Sequence, residues 1–410
     1  MHKKNYCDIF VSGGGLAGLM TSLALAGKSR KIICCDLHWD FSLEPSGLPQ
    51  DQRVTALFNS SLEFLASFIP LESLLSSYGK RLAEIEVLEA GKKGEIEQSS
   101  SFKSLAIGKD EFGWVIPNDK FREALVSQAT QNPNITFLPK IGVQKVFTRT
   151  NEAYVLLTNG SRVVTKLLVG ADGKTSQVRK SLKINTNQIS PLQGGISFNV
   201  KHPIPLIHKS VEIYKSGGPF TIIPLPGENE HYSNIIWMDT ISQIEAFSKL
   251  GNSALASEAT KRSLGVVGNL SIVSSSVNWS GSYQMANQLS HERSVLIAEA
   301  AHNLPPLGAQ GLNLTIGDIK ALQDCISKAA DPGSPQVLKD YGRARYFPTL
   351  LKFVGTNFHN LLSFSNIVPL RSMRKEGAKL FSTNERLQKS LLKFGLGEDI
   401  FPFKPFSKTY

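Results

Sequence analysis

Cysteine is scarce in this chain, with four in 410 residues at Cys7, Cys34, Cys35 and Cys325. No two stand in CxxC spacing, which argues against a disulfide framework and a structural zinc site. Cys34 and Cys35 lie inside an apolar run and read as buried core thiols, in keeping with a reducing, cytoplasmic compartment. The eight histidines are scattered, without HExxH or similar clustering, so no metal site is expected. Dense Lys/Arg tracts and aromatic RNA-binding signatures are missing too, which puts nucleic acid last among partners. There is no internal repeat and no low-complexity tract. What remains is an ordinary globular composition, 41% hydrophobic and 19% charged, long enough for two intimately joined domains. The net charge of +11 fits an anionic cofactor or an anionic membrane surface.

The stretch DIFVSGGGLAGLMTSLALAG, residues 8–27, carries no charge after Asp8. A basic start and small-residue end give it the outline of a signal peptide, and its length is barely that of a membrane span. Four glycines interrupt it, however, and it divides naturally into strand, glycine turn and helix. A second strand, RKIICCDLH, follows and meets an acid at Asp36. Strand, GxGxxG, helix, strand, acid is the dinucleotide-binding βαβ unit. In it Gly13 permits the turn, Gly15 lets the backbone approach a pyrophosphate and Gly18 lets helix and strand pack. The helix start, with Leu16 and Ala17, offers N–H groups to phosphate, and Asp36 is placed to accept a ribose hydroxyl.

Downstream, residues 54–80 read as helical and 82–107 as strands around a polar turn. NDKFREALVSQATQ is an amphipathic helix with Phe121, Leu125 and Val126 on one face. Strand-rich stretches follow at 135–173 and 194–240. SVLIAEAAH reads as a short buried strand, LNLTIGDIKALQDCISKAA as a helix, and the chain from about 336 as helices. The expected fold is α/β: a Rossmann-like domain of glutathione-reductase type, an inserted, mainly antiparallel β-sheet domain, and C-terminal helices. The expected division is 1–80, 112–182 and 285–335 for the first, 81–111 and 183–284 for the second, and 336–410 for the helical region.

Three further segments carry chemistry. LLVGADGKTSQVRKSL runs a strand into Gly170-Ala171-Asp172-Gly173, followed by Ser176 and Arg179. VLIAEAAHNLPPLGAQGLNLTIGD runs a strand into a Gly/Pro-rich turn and a helix, and DQRVTAL places Asp51 and Arg53 ahead of Ala56 and Leu57. With GWVIPNDKFREAL, GGPFTIIPLPG and the tail LLSFSNIVPLRSMRKEGAKLF, their order and spacing resemble those of class A FAD-dependent aromatic hydroxylases, in particular the ubiquinone-biosynthesis hydroxylases. The resemblance spans nearly the whole chain.

The resemblance implies FAD as cofactor, NAD(P)H as co-substrate that reduces the flavin and leaves, and O2 forming a C4a-hydroperoxyflavin that hydroxylates a prenylated phenol. It implies that Gly13, Gly15 and Gly18 hold the pyrophosphate, Asp36 the ribose, and Arg53 and Arg122 the ribityl and phosphate region. Asp172 falls in the motif used for FAD and NAD(P)H. Pro306, Gly308, Ala309, Gln310, Gly311, Leu312 and Asn313 are expected against the isoalloxazine. No catalytic residue is legible. A prenyl tail implies peripheral contact with the inner face of a membrane through the C-terminal helices, or a complex with other quinone-biosynthesis enzymes. Plainer readings stand beside these: Asp172 as a turn cap, Arg179 as a surface ion pair, His302 as a structural hydrogen-bonding residue, Trp237 and Met238 as core.

The family's Gly-Asp before AAH is here Ala298-Glu299, which keeps a carboxylate but puts a methyl where positive φ would be costly. GAQG stands for AGQG, and Trp279-Ser280-Gly281 for an aromatic-Pro-Leu. All three departures fall on flavin or substrate contacts. They keep open a flavin hydroxylase or reductase of another substrate, or a catalytically weakened scaffold in a quinone-synthesis complex.

Overall fold

The computed structural model describes residues 5–27, 29–39, 53–91, 93–190, 192–215, 217–226, 231–365 and 368–396. Asp51 and residues 397–410 lie outside the described residues. Parallel strands form the first sheet in the order Ile135–Pro139, Ile32–Asp36, Asn5–Ser12, Arg162–Gly170, Ser294–Leu296. They are nearly continuous apolar runs, buried in the core they share with the helices Leu16–Ala26, Asn118–Gln131 and Gln310–Ser327. The chain leaves Asn5–Ser12 for a neighbour on one side and returns much later, as Arg162–Gly170, on the other. That reversal opens a crevice at the carboxyl ends of the strands. An antiparallel hairpin, Val143–Thr148 with Ala153–Leu157, leads into Arg162–Gly170. Cys34 and Cys35 are buried here, and burial pushes the Cys35 thiol up to about 12.

The second sheet runs Ser271–Ile272, Gln193–Lys201, Tyr232–Thr240, Gly218–Pro224, Lys209–Lys215, Glu84–Ala90, Ile96–Lys103. It is antiparallel except where Lys209–Lys215 meets Glu84–Ala90. Ile196, Phe198, Ile213, Phe220, Ile235 and Trp237 alternate onto one face, under the helices Ile241–Ser248 and Asn252–Arg262. The opposite face carries Gln193, Tyr214 and Glu89 and meets the C-terminal helices Pro335–Phe364 and Val368–Thr383, with Arg374 bidentate on buried Glu89 at 2.6 and 2.7 Å. Trp237 and Met238 are buried, as core residues should be.

Two local expectations need correction. Residues 54–80 are not all helical: Val54–Phe58 is a strand paired with Gly113–Pro117, and only then come the helices Asn59–Leu65 and Leu71–Tyr78. The β-branched Val54 and Thr55 gain a partner too remote in sequence for local pattern to show. In SVLIAEAAH the first strand ends at Leu296, Ala298–Ala301 turns into a short helix, and His302 opens the two-residue strand His302–Asn303.

Candidate functional site

The first strand ends in a turn whose glycines meet different constraints. Gly13 has φ of +106°, and a Cβ there would lie 2.3 Å from the Ala171 carbonyl oxygen. A Cβ on Gly18 would lie 1.7 Å from the Gly13 oxygen, so helix packing demands glycine. Gly15 is different. Its φ of −69° suits any residue, it is exposed, and a Cβ there would meet nothing within 4 Å. No protein atom requires glycine at this position, and the space in front of it is open.

Gly15 is the N-cap of Leu16–Ala26, a helix with no side-chain cap and no acid in its first turn. Leu16 and Ala17 pack partly on the core while their backbone lies at that uncapped start. Asp36 closes the turn: one carboxylate oxygen accepts from the Gly14 N–H at 2.7 Å, the other from His38 and Trp39 N–H at 2.8 and 3.0 Å. A carboxylate has about four acceptor positions, so one remains for a ligand hydroxyl. Arg122 lies over the Trp39 ring, 5.8 Å from its centroid, next to this acid. Arg53 is exposed at the head of Val54–Phe58, and its carbonyl accepts from Asn118 N–H.

The Gly170–Gly173 segment forms the opposite wall, with Ala171 N–H bonded to the Ser12 carbonyl at 2.8 Å. The Asp172 carboxylate is committed locally. It accepts from Ser176 Oγ and from the Gln177 and Val178 N–H groups at 2.8 and 3.1 Å. Burial holds its pKa above the ordinary value against these hydrogen bonds. Its side chain therefore caps the short helix Gln177–Ser181, and what it offers the crevice is backbone. Arg179 is not a surface ion pair. It is buried and donates to the Ala300 and Lys174 carbonyls at 2.7 and 2.6 Å, tying this wall to the Ala298–Ala301 turn.

Glu299 is exposed, with a carboxylate oxygen 4.0 Å from where a Gly173 Cβ would stand. Beneath it, His302 is structural. Its Nε2 lies 2.6 Å from buried Asp318, which also accepts from Arg345 Nε at 2.8 Å and from the Ala298 N–H at 3.3 Å.

Of the expected Pro306–Asn313 loop only Pro306–Ala309 is a turn; Gln310–Asn313 already form the start of the helix Gln310–Ser327, again without a side-chain cap or an acid in its first turn. Pro306, Gly308 and Gly311 are exposed, Leu312 is half-buried, and a Cβ on Gly311 would meet nothing within 4 Å. Two side chains of this loop point to protein. The Asn313 side chain accepts from Phe58 N–H and Ser61 Oγ at 3.0 and 2.7 Å and donates to Ala56 and Ala309 carbonyls at 2.8 Å each, clamping the loop to Val54–Phe58. Gln310 donates to the Gly308 and Gly395 carbonyls and accepts from Lys352 Nζ at 2.7 Å. Sequence reading missed Lys352: a lysine in a long helix gives no sign of its burial, which lowers its pKa to about 8.

Both departures from glycine fall where backbone matters, since Ala298 has φ of +53° and Ala309 of +54°. An L-residue in the left-handed region costs about 1–2 kcal/mol. Ala298→Gly and Ala309→Gly are each expected to stabilise the fold by about 1 kcal/mol, the unfolded chain's extra freedom offsetting part of the gain. Urea unfolding midpoints check this, and a lower midpoint in either variant would contradict it.

Most of the site residues lie along one path: Arg122, Trp39, Asp36, Gly14 and Gly15, across Gly13 to Ala171 and Gly173, then Glu299 and Ala298, whose N–H reaches Asp318 inside the helix Gln310–Ser327. The uncapped start of Leu16–Ala26 borders it and suits a pyrophosphate, while the uncapped start of Gln310–Ser327 is held against Val54–Phe58 through Asn313.

Residues 6–347 match the model of the FAD binding domain family. The chain is 25% identical over 394 residues to the ubiquinone hydroxylase UbiL of Rhodospirillum rubrum, covering 95% of this chain and 89% of that protein. It is 23% identical over 399 residues to the 3-demethoxyubiquinol 3-hydroxylase of Escherichia coli, covering 95% and 98%. Among solved structures, p-nitrophenol 4-monooxygenase from Pseudomonas putida shares the fold, with a TM-score of 0.78 at 15% identity, covering 97% of this chain and all of that one.

Proposed function

The chain belongs to the FAD binding domain family, and on that premise we propose that it is an FAD-dependent monooxygenase. Its reaction is hydroxylation of the aromatic ring of a prenylated phenol in ubiquinone biosynthesis, with NAD(P)H and O2. The observation that carries the cofactor is the match of residues 6–347 to the FAD binding domain family, beside the open, uncapped helix start at Gly15. The substrate class rests on the relatives, which cover nearly the whole chain.

Bound FAD supplies the redox chemistry, taking electrons from NAD(P)H and activating O2 for transfer of one oxygen atom. The protein's part is to bind, orient and exclude water. N–H groups at the start of Leu16–Ala26 hold the pyrophosphate, and Asp36 takes the adenosine ribose. Arg53 and Arg122 supply cationic charge beside the phosphates. Glu299 reaches toward the ribityl chain. The Pro306–Asn313 loop and the start of Gln310–Ser327 face the ring with positive dipole, favouring negative charge on the reduced flavin. The apolar cluster of Phe58, Phe102, Phe112, Leu392 and Leu396, against which Ala309 packs, keeps water from that end. In an FAD-loaded preparation, a short-chain prenylphenol is expected to accelerate NAD(P)H oxidation with formation of a hydroxylated ring. Oxidation indifferent to the phenol would count against the substrate.

The left-handed alanines favour a second reading, a weakened flavoprotein scaffold in a quinone-synthesis complex. A colourless protein that added FAD cannot reconstitute would select it.

Contact with a bilayer belongs to the same proposal. No helix among the described residues is long and apolar enough to cross a membrane. Pro335–Phe364 nevertheless leaves Phe347, Val354, Phe358 and Leu361 more than half exposed along one face. Lys379, Arg386 and Lys393 are exposed on the helices that follow. Burying such a side chain is worth about 1.5 kcal/mol or more. Phe347→Ser with Phe358→Ser is therefore expected to weaken sedimentation with anionic vesicles by over tenfold, FAD content unchanged. Unaltered sedimentation would remove this surface from the account.

A further inference from the structure

Four buried polar atoms without a hydrogen-bond partner among the described residues gather on the inner side of Pro335–Phe364. Thr349 Oγ1 and Asn360 Oδ1 belong to the helix, and Gln193 Nε2 and the Tyr283 hydroxyl to strands packed against it. All are at most 5% exposed. A buried polar group left unmatched is costly, and two of the four, Gln193 and Asn360, are in direct contact.

Gln193 and Asn360 define that partner most sharply. Asn360 Nδ2 donates to Gln193 Oε1 at 2.8 Å, which leaves one amide donor and one amide acceptor unmatched side by side. Turning both amides over exchanges the roles and leaves the same result, one donor and one acceptor. Their complement is a hydroxyl, which donates to one and accepts from the other. Gln193 projects from the face of the second sheet opposite Ile196 and Phe198, and a Gly218 Cβ would lie 2.9 Å from its Nε2.

The position relative to the cofactor loop is set by the helix. Lys352 touches Gln310, and Asn360 stands eight residues further along, about 12 Å at 1.5 Å per residue. Phe353, Tyr283, Leu304 and Leu314 supply apolar surface in between, the last two flanking the Pro306–Asn313 loop.

Building on the hydroxylase reading above, we propose that Gln193 and Asn360 are the specificity-determining pair that binds the ring hydroxyl of the phenol and so sets which ring carbon faces the flavin. The complement is chemically met by a buried water too, and the experiment separates the two.

The test uses the FAD-loaded full chain and its Gln193→Met and Asn360→Leu variants, which remove polarity at similar shape. Binding of a short-chain prenylphenol and of the matching prenylbenzene, which lacks the hydroxyl, is read from the flavin absorbance change. Wild type is expected to prefer the phenol by at least tenfold. Each variant should lose that preference through weaker phenol binding alone, with prenylbenzene affinity and FAD content unchanged. Because the substitutions act on opposite halves of the pair, one that fails to retain FAD leaves the other decisive. Variants that keep the wild-type preference overturn the proposal and assign the pair to water. Wild type that binds neither compound overturns the hydroxylase reading itself.

Discussion

Gly15→Val is expected to abolish FAD retention while leaving a soluble, cooperatively folding protein. The backbone at Gly15 has ordinary φ and a Cβ there meets no protein atom, so valine costs the fold only a poorer N-cap, about 1 kcal/mol. The branched side chain instead fills the space in front of the first N–H groups of Leu16–Ala26, where a pyrophosphate must approach. FAD affinity should fall by at least a hundredfold, with a circular dichroism melt close to that of wild-type apoprotein. Gly18→Val is the contrast: its Cβ would sit 1.7 Å from the Gly13 oxygen, so that variant should fail to fold at all. Equal FAD content in Gly15→Val and wild type would remove the pyrophosphate site from the account.

The second large effect concerns the buried triad under Ala298. Asp318→Ala should destabilise the protein by about 3–5 kcal/mol, because it strands the Arg345 guanidinium and the His302 ring without their partner. The loss should depend on pH with a definite sign. Burial alone would raise the Asp318 pKa, but His302 and Arg345 outweigh it and hold the carboxyl below its ordinary value. A carboxylate depressed in the fold contributes in full above its unfolded value of about 3.9 and loses that contribution as pH falls through the folded pKa. The stability gap between wild type and variant should therefore narrow as pH falls below about 4. Urea titrations at stepped pH check it, and a gap that does not narrow there would contradict the assignment.

What could be read from sequence was what short-range chemistry dictates. The glycine turn, its acid at Asp36 and the helix with Phe121, Leu125 and Val126 on its buried face are each set by residues within one supersecondary unit. His302 was legible as structural, although its partner Asp318 appears only once the helix folds back. The misses share a cause. Val54–Phe58 becomes a strand through Gly113–Pro117, Arg179 is drawn inward by the Ala300 carbonyl, and Lys352 meets Gln310 and the Gly395 carbonyl. In each, a distant segment supplies the partner and local pattern carries no trace of it. The same holds for Gln193 and Asn360, which are 167 positions apart and read singly as two polar residues.

The most direct test of the account is an isotope experiment. The FAD-loaded protein is given NAD(P)H, a short-chain prenylphenol and ¹⁸O-labelled dioxygen, and the product is analysed by mass spectrometry. The account predicts one heavy oxygen atom on the aromatic ring, none from solvent, and no product when the phenol meets the Gly15→Val variant. A phenol recovered unoxidised while NAD(P)H is consumed, or a product whose new oxygen comes from water, would contradict it.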